Sequence, residues 1–100
     1  MASVYILFSN CLNKHYIGSC LDLQIRLEQH RNQTFHDAFT AKAKDWILVL
    51  EINNLEYLQA RNIEKHLKKM KSSTYVNNLL KYPEMIEKLK STYNEQIAFR

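Results

Sequence analysis

A single glycine, a single proline and two cysteines are all that this chain of 100 residues offers for building loops, breaks and staples. With one glycine there is no glycine-rich loop to cradle a phosphate, and little material for flexible linkers. Cys11 and Cys20 fit no zinc-ligand spacing, and two cysteines make no disulfide framework. They read as reduced thiols in or near strands. No apolar run approaches the roughly 20 residues that span a bilayer. The N-terminus has no basic region, long apolar stretch and small-residue cleavage site in series. The expected setting is therefore cytoplasmic, without a membrane partner. A chain this long buries roughly two-thirds of its unfolded surface, enough for one core and one domain.

Positive charge is present, and its distribution says more than its total. The formal net charge is +4 and the pI about 9.1. Arg61, Lys65, Lys68, Lys69, Lys71 and Lys81 crowd one stretch in which Glu64 is the only acid. Such a strip suits a polyanion, because each neutralised phosphate releases counterions. A solvated, lysine-rich helix face gives the same pattern. Charge alone leaves both readings open.

Local patterning predicts an α+β fold. Residues 3–9 (SVYILFS) and 15–20 (HYIGSC) are dense in β-branched, aromatic and aliphatic types, and the short Asn-bearing segment between them predicts a hairpin. Asp22 is placed to cap a helix running to about His30 or Arg31. Residues 32–44 have no clean period and read as a loop. Residues 46–52 (WILVLEI) form a third strand, apolar enough to be central or covered on both faces. A helix over 55–71 carries an apolar stripe of Ala60, Ile63, Leu67 and Met70. Ser72 or Ser73 caps a short helix over 74–81, and Pro83 opens the last one. The expected architecture is a small three-stranded antiparallel sheet flanked by helices, in the order β-β-α-β-α-α-α.

Three elements carry groups with chemistry. A hairpin turn centred between Leu12 and Asn13 would set Tyr5 opposite Cys20, Leu7 opposite Gly18 and Ser9 opposite Tyr16. Tyr5, Tyr16 and Gly18 then share one face. Ordinary half-buried strand tyrosines would look the same. On the first helix Leu23, Arg26, Leu27 and His30 fall on one face, with the leucines as anchors. A guanidinium there suits a phosphate gaining charge in its transition state, and an imidazole suits proton transfer. A surface arginine and a helix-end histidine fit equally. Glu64 borders the buried stripe of the second helix. It can reach a cleft and hold a hard divalent cation, or pair with Lys68 one turn on.

Together these residues resemble a known family. Tyr5, Tyr16-Ile17-Gly18, Arg26, His30 and Glu64 stand in the order and approximate spacing of the GIY-YIG nuclease domain. The segment YIGSCLDLQIRLEQH resembles that family's second strand and first helix. Resemblance runs from residue 4 to 71 and includes the tryptophan strand and the A-R-N-I-E-K helix. The most similar members are short, single-domain bacterial proteins and the N-terminal domain of excision-repair endonucleases. One departure is plain: the first motif reads Ser3-Val4-Tyr5, so only its tyrosine survives.

The resemblance implies a nuclease domain over residues 1–93 with a C-terminal tail over 94–100. It implies a metal-dependent endonuclease hydrolysing phosphodiester bonds in DNA, in a repair, recombination or mobile-element setting. The implied catalytic residues are Tyr5, Tyr16, Arg26, His30 and Glu64, with Gly18 making room beside the phenols and Mg²⁺ or Mn²⁺ on Glu64. The implied nucleic-acid contacts are Lys42, Lys44, Arg61, Lys65, Lys68, Lys69 and Lys71. A lysine near the site would be Lys42, Lys44 or Lys68, and a metal-proximal asparagine would be Asn77 or Asn78. The alternatives are a non-catalytic nucleic-acid-binding module on the same scaffold, or a subunit whose protein partner supplies targeting.

Overall fold

The computed structural model describes residues 1–31, 45–70 and 72–93; the side chains of His30 and Arg31 lie outside the described residues. Strands β1 (Ala2–Ser9) and β2 (Lys14–Cys20) form the hairpin, followed by helix α1 (Leu23–Arg31). Strand β3 (Trp46–Leu55) precedes α2 (Tyr57–Met70), α3 (Ser73–Lys81) and α4 (Pro83–Thr92). The expected loop over 32–44 lies outside the described residues.

The sheet is antiparallel, in the order β2-β1-β3, so β1 and not β3 is central. Apolar content could not decide this. Residues Ala2 through Leu7 are buried without interruption, as a strand covered on both faces requires. On β3, Ile47 and Leu48 are exposed despite their type. One face of β1 (Ala2, Val4, Ile6) meets Ile52 and Leu55 of β3, and Ala60, Ile63 and Leu67 of α2. Val76 of α3 and Leu89 of α4 complete that core. The opposite face holds Tyr5, Leu7 and Cys20, packed under Leu23 and Leu27 of α1 with Tyr16 and Trp46. The apolar stripe of α2 stops one turn early, since Met70 is exposed. Gln59 is buried in its stead: its Oε1 accepts from the Glu56 amide at 3.1 Å, and its amide donates to the Lys90 carbonyl at 2.9 Å.

Helix starts follow local chemistry. The Asp22 carboxylate accepts from the Ile25 amide at 3.1 Å, and Ser72 Oγ accepts from the Tyr75 amide at 3.2 Å. Each satisfies an amide that the helix itself leaves without a partner. The hairpin turn is held from outside. The Asp45 carboxylate accepts from Ser9 Oγ at 2.6 Å and from the Cys11 amide at 2.8 Å. Those bonds hold the Asp45 carboxyl below its usual range. Asn13, at φ 52°, supplies the left-handed residue of the turn, a conformation asparagine tolerates well.

Candidate active site at the edge of strand β2

Strand β2 lies at the sheet's edge, and functional side chains reach it from both faces. The hairpin register sets Tyr5 opposite Gly18 and Leu7 opposite Tyr16. This is displaced by two residues from the sequence expectation, which set Tyr5 against Cys20. A two-residue slip preserves side-chain parity, so Tyr5, Tyr16 and Gly18 share a face as expected. The new pairing explains the glycine. A Cβ on Gly18 would lie 2.6 Å from the Tyr5 hydroxyl and 2.7 Å from its Cζ. The phenol therefore lies across the strand where any side chain would stand. Gly18 has no positive φ, so its role is steric and not conformational.

Arg26 comes to the same place from α1. It is half-buried and hydrogen-bonds the Tyr5 phenol. Burial of Tyr5 opposes ionisation, and the nearby Arg26 charge only partly offsets this, leaving the phenol pushed up to about 12. A raised value means that the folded state holds this proton more tightly than the unfolded chain does. The associated stability is complete below about pH 10 and is lost as pH rises through about 12. In alkaline unfolding followed by circular dichroism, Tyr5→Phe is expected to fall less steeply over that window than the wild type. An unchanged slope would contradict the buried, protonated phenol. Tyr16 is half-buried, its ring 6.2 Å from that of Tyr5 and 6.4 Å from Trp46, edge-on to the latter.

Glu64 arrives from the other face. Alternation turns Ser19, opposite Val4, toward α2, and its hydroxyl donates to Glu64 Oε1. Lys68, one helical turn on, donates to Oε2 at 2.6 Å. Burial pushes the Glu64 carboxyl up. Hydrogen bonds from Lys68 and Ser19, with the charges of Lys68 and Arg61, outweigh it and hold the group below its usual range. It is a carboxylate at neutral pH. A cavity of about 380 Å³ opens here between α1 and α2, lined by Ser19, Cys20 and Arg26 together with Arg61 and Tyr57. Two guanidiniums thus converge on a space bounded by the serine that holds Glu64.

Whether these groups suit a divalent cation depends on the donor set. No group of three or more His, Cys, Asp or Glu residues gathers among the described residues, so they form no all-protein cage. Magnesium commonly needs only one or two carboxylates, with water and substrate phosphate filling its shell. Glu64 fits as one such ligand once Lys68 yields its oxygen.

The structure sets Tyr5 against both Gly18 and Arg26, with Tyr16 beside it, and Glu64 reaches the same strand through Ser19. Glu64 and the tyrosines lie on opposite faces, a division the sequence reading did not foresee. The side chain of His30 lies outside the described residues, as do Lys42, Lys44 and Lys71. Of the lysines considered for the site, Lys68 is at Glu64. Arg61 lines the cavity, while Lys65 and Lys69 are exposed on α2 away from it. Asn77 is exposed, and neither it nor Asn78 lines this cavity. Sequence reading missed Ser19. Its signal was its place directly after Gly18, where strand alternation turns it to the opposite face.

His66 lies outside the site. Its two ring nitrogens meet the hydroxyls of Tyr75 and Tyr93, each at 3.1 Å, joining α2 to α3 and to the residue after α4. No helix among the described residues is long and apolar enough to cross a membrane.

Comparison with known proteins identifies the family. The family model described as the GIY-YIG catalytic domain matches residues 1–79. No curated protein and no solved structure gives a match. A match over most of the chain, with three antiparallel strands and flanking helices arranged as that domain requires, places the protein in the GIY-YIG nuclease family.

Proposed function

We propose that this protein is a divalent-metal-dependent endonuclease that hydrolyses phosphodiester bonds in DNA, in a repair, recombination or mobile-element setting. One observation carries the reading. Arg26, held on Tyr5, lines with Arg61 a cavity bounded by Ser19, the residue that holds Glu64 from the other face of a glycine-thinned edge strand.

In this reading Arg26 binds the scissile phosphate and stabilises the charge it gains, because a guanidinium stays protonated throughout the working range. Tyr5 acts as a positioning residue, its proton retained and its phenol fixing Arg26. The role of proton acceptor from the attacking water goes to Tyr16, which is less buried, with His30 one helical turn beyond Arg26 as its aid. Mg²⁺ or Mn²⁺ on Glu64 would supply Lewis-acid polarisation of the phosphate and charge neutralisation at the leaving oxygen. Arg61 and the exposed lysines of α2, with Lys42, Lys44 and Lys71 beyond the described residues, contact the backbone without reading sequence.

The test is cleavage of supercoiled, branched and flapped DNA with and without Mg²⁺. Arg26→Ala is expected to cost about a hundredfold in rate, on the order of losing one transition-state donor. Equal rates for wild type and variant at retained fold would remove Arg26 from the site.

A second reading has its own observation. Both Glu64 oxygens already have protein partners, as in a purely structural carboxylate. A non-catalytic nucleic-acid-binding module would then bind DNA with steep salt dependence and cleave nothing with any divalent metal. A protein partner supplying targeting fits either reading, and co-purification from native cells would reveal it.

A further inference from the structure

A second and larger cavity, about 540 Å³, opens along β2 on the hairpin side of Glu64. Its floor is apolar, made by Ile17, Leu67 and Val76. Its rim carries Lys14 and Lys68. His15 also lines it, a ring that burial keeps below its usual pKa and that sits 4.8 Å from the ring of Phe8. No acid is among the described residues that line it.

Three features point to one class of occupant. Lys14, on a rim without a lining carboxylate, favours an anion, and Lys68 adds its charge once it leaves Glu64. An apolar floor beside the His15 ring favours a flat, weakly polar ring system. Position gives the third: Lys68 belongs both to this rim and to the Glu64 pair, while Ser19 belongs to the pair and to the arginine cavity. The two cavities therefore flank Glu64 along one strand. From Ser19 to Lys14 that strand extends roughly 17 Å, at about 3.3 Å per residue.

Resting on the nuclease reading above, we infer that this groove holds unpaired nucleotides on one side of the scissile phosphate. A base lies on the apolar floor against His15, and its phosphate meets Lys14, with Lys68 beside it. A base inside a duplex has its faces covered by its neighbours and cannot make that contact. Stacking on aromatic side chains is the sequence-tolerant way in which proteins hold single strands. The substrate is therefore a strand that is single-stranded on this side of the cut.

The experiment measures binding apart from chemistry. A fluorescein-labelled oligothymidylate of about twelve nucleotides and a blunt duplex are titrated with protein in Ca²⁺ by fluorescence anisotropy. Two variants leave the fold's core alone: Lys14→Ala on an exposed strand position, and Ser73→Glu at the groove-lining first position of α3. A glutamate there suits a helix N-terminus but repels phosphate. Each variant is expected to bind the single strand about tenfold more weakly, with duplex binding changed less than about threefold. That outcome upholds the groove even if the wild type cleaves no DNA with Mg²⁺, a result that would defeat only the nuclease reading. Equal single-strand binding by wild type and both variants overturns the groove even if cleavage is strong. So does an equal loss on both substrates.

Discussion

Glu64→Gln is expected to lower Mg²⁺-dependent DNA cleavage by about a hundredfold or more, with the fold intact. The size follows from what is removed. Glutamine keeps the shape and one carbonyl oxygen, so Ser19 retains an acceptor. The i, i+4 attraction to Lys68 is worth only a few tenths of a kcal/mol on a helix surface. The negative charge is lost, and with it the carboxylate that Ser19 holds at this edge of β2. Stability by urea denaturation should shift by less than about 1 kcal/mol, so a large rate loss would belong to the site and not to unfolding. The pH profile carries the same message. Because Glu64 is held below its usual range, it stays ionised across neutral pH, and its contribution is lost only as pH falls through that lowered value. An activity that rose as Glu64 became protonated would assign the carboxylate a different role.

Gly18→Ala is expected to damage both fold and activity. The added methyl would stand 2.6 Å from the Tyr5 hydroxyl and 2.7 Å from Cζ, and Tyr5 is fully buried. The phenol cannot swing aside without displacing Leu7, Leu23 or Leu27 in the same cluster. Overpacking of this kind costs about 1–3 kcal/mol. It also moves the hydroxyl that holds Arg26, so cleavage should fall more than the stability loss explains. Urea midpoints and initial rates measured on the same preparation separate the two effects. In a Tyr5→Leu background the same alanine should cost less than about 1 kcal/mol, because the clashing atoms are gone. An alanine tolerated without loss in the wild-type background would mean that the strand is not thinned for the phenol.

Much of this is legible in the sequence. Asp22, Ser72 and Pro83 marked helix starts because capping chemistry is local. The common face of Tyr5, Tyr16 and Gly18 survived an error in hairpin register, since side-chain period in a strand is two. What failed depended on long-range packing. The turn is set by Asp45, far along the chain, so its centre could not be read from residues 10–14 alone. An apolar run could not distinguish an edge β3 from a central one. Helical spacing put Glu64 beside the buried stripe but could not say which sheet face α2 covers. That its carboxylate is held by Ser19, which with Arg26 lines one cavity at the edge of β2, is therefore a finding of the fold.

Whether the two residues serve one reaction is best tested by a double-mutant cycle on cleavage rate with Arg26→Ala, Glu64→Gln and the combined variant. Residues serving one transition state are strongly non-additive. If Arg26 and Glu64 form a single site, the double variant should cleave about as slowly as the worse single variant, with Mg²⁺ dependence kept in Arg26→Ala and lost wherever Glu64 is replaced. Losses that simply multiply, or a wild type that cleaves nothing with Mg²⁺ or Mn²⁺, would contradict a single catalytic site at this strand edge.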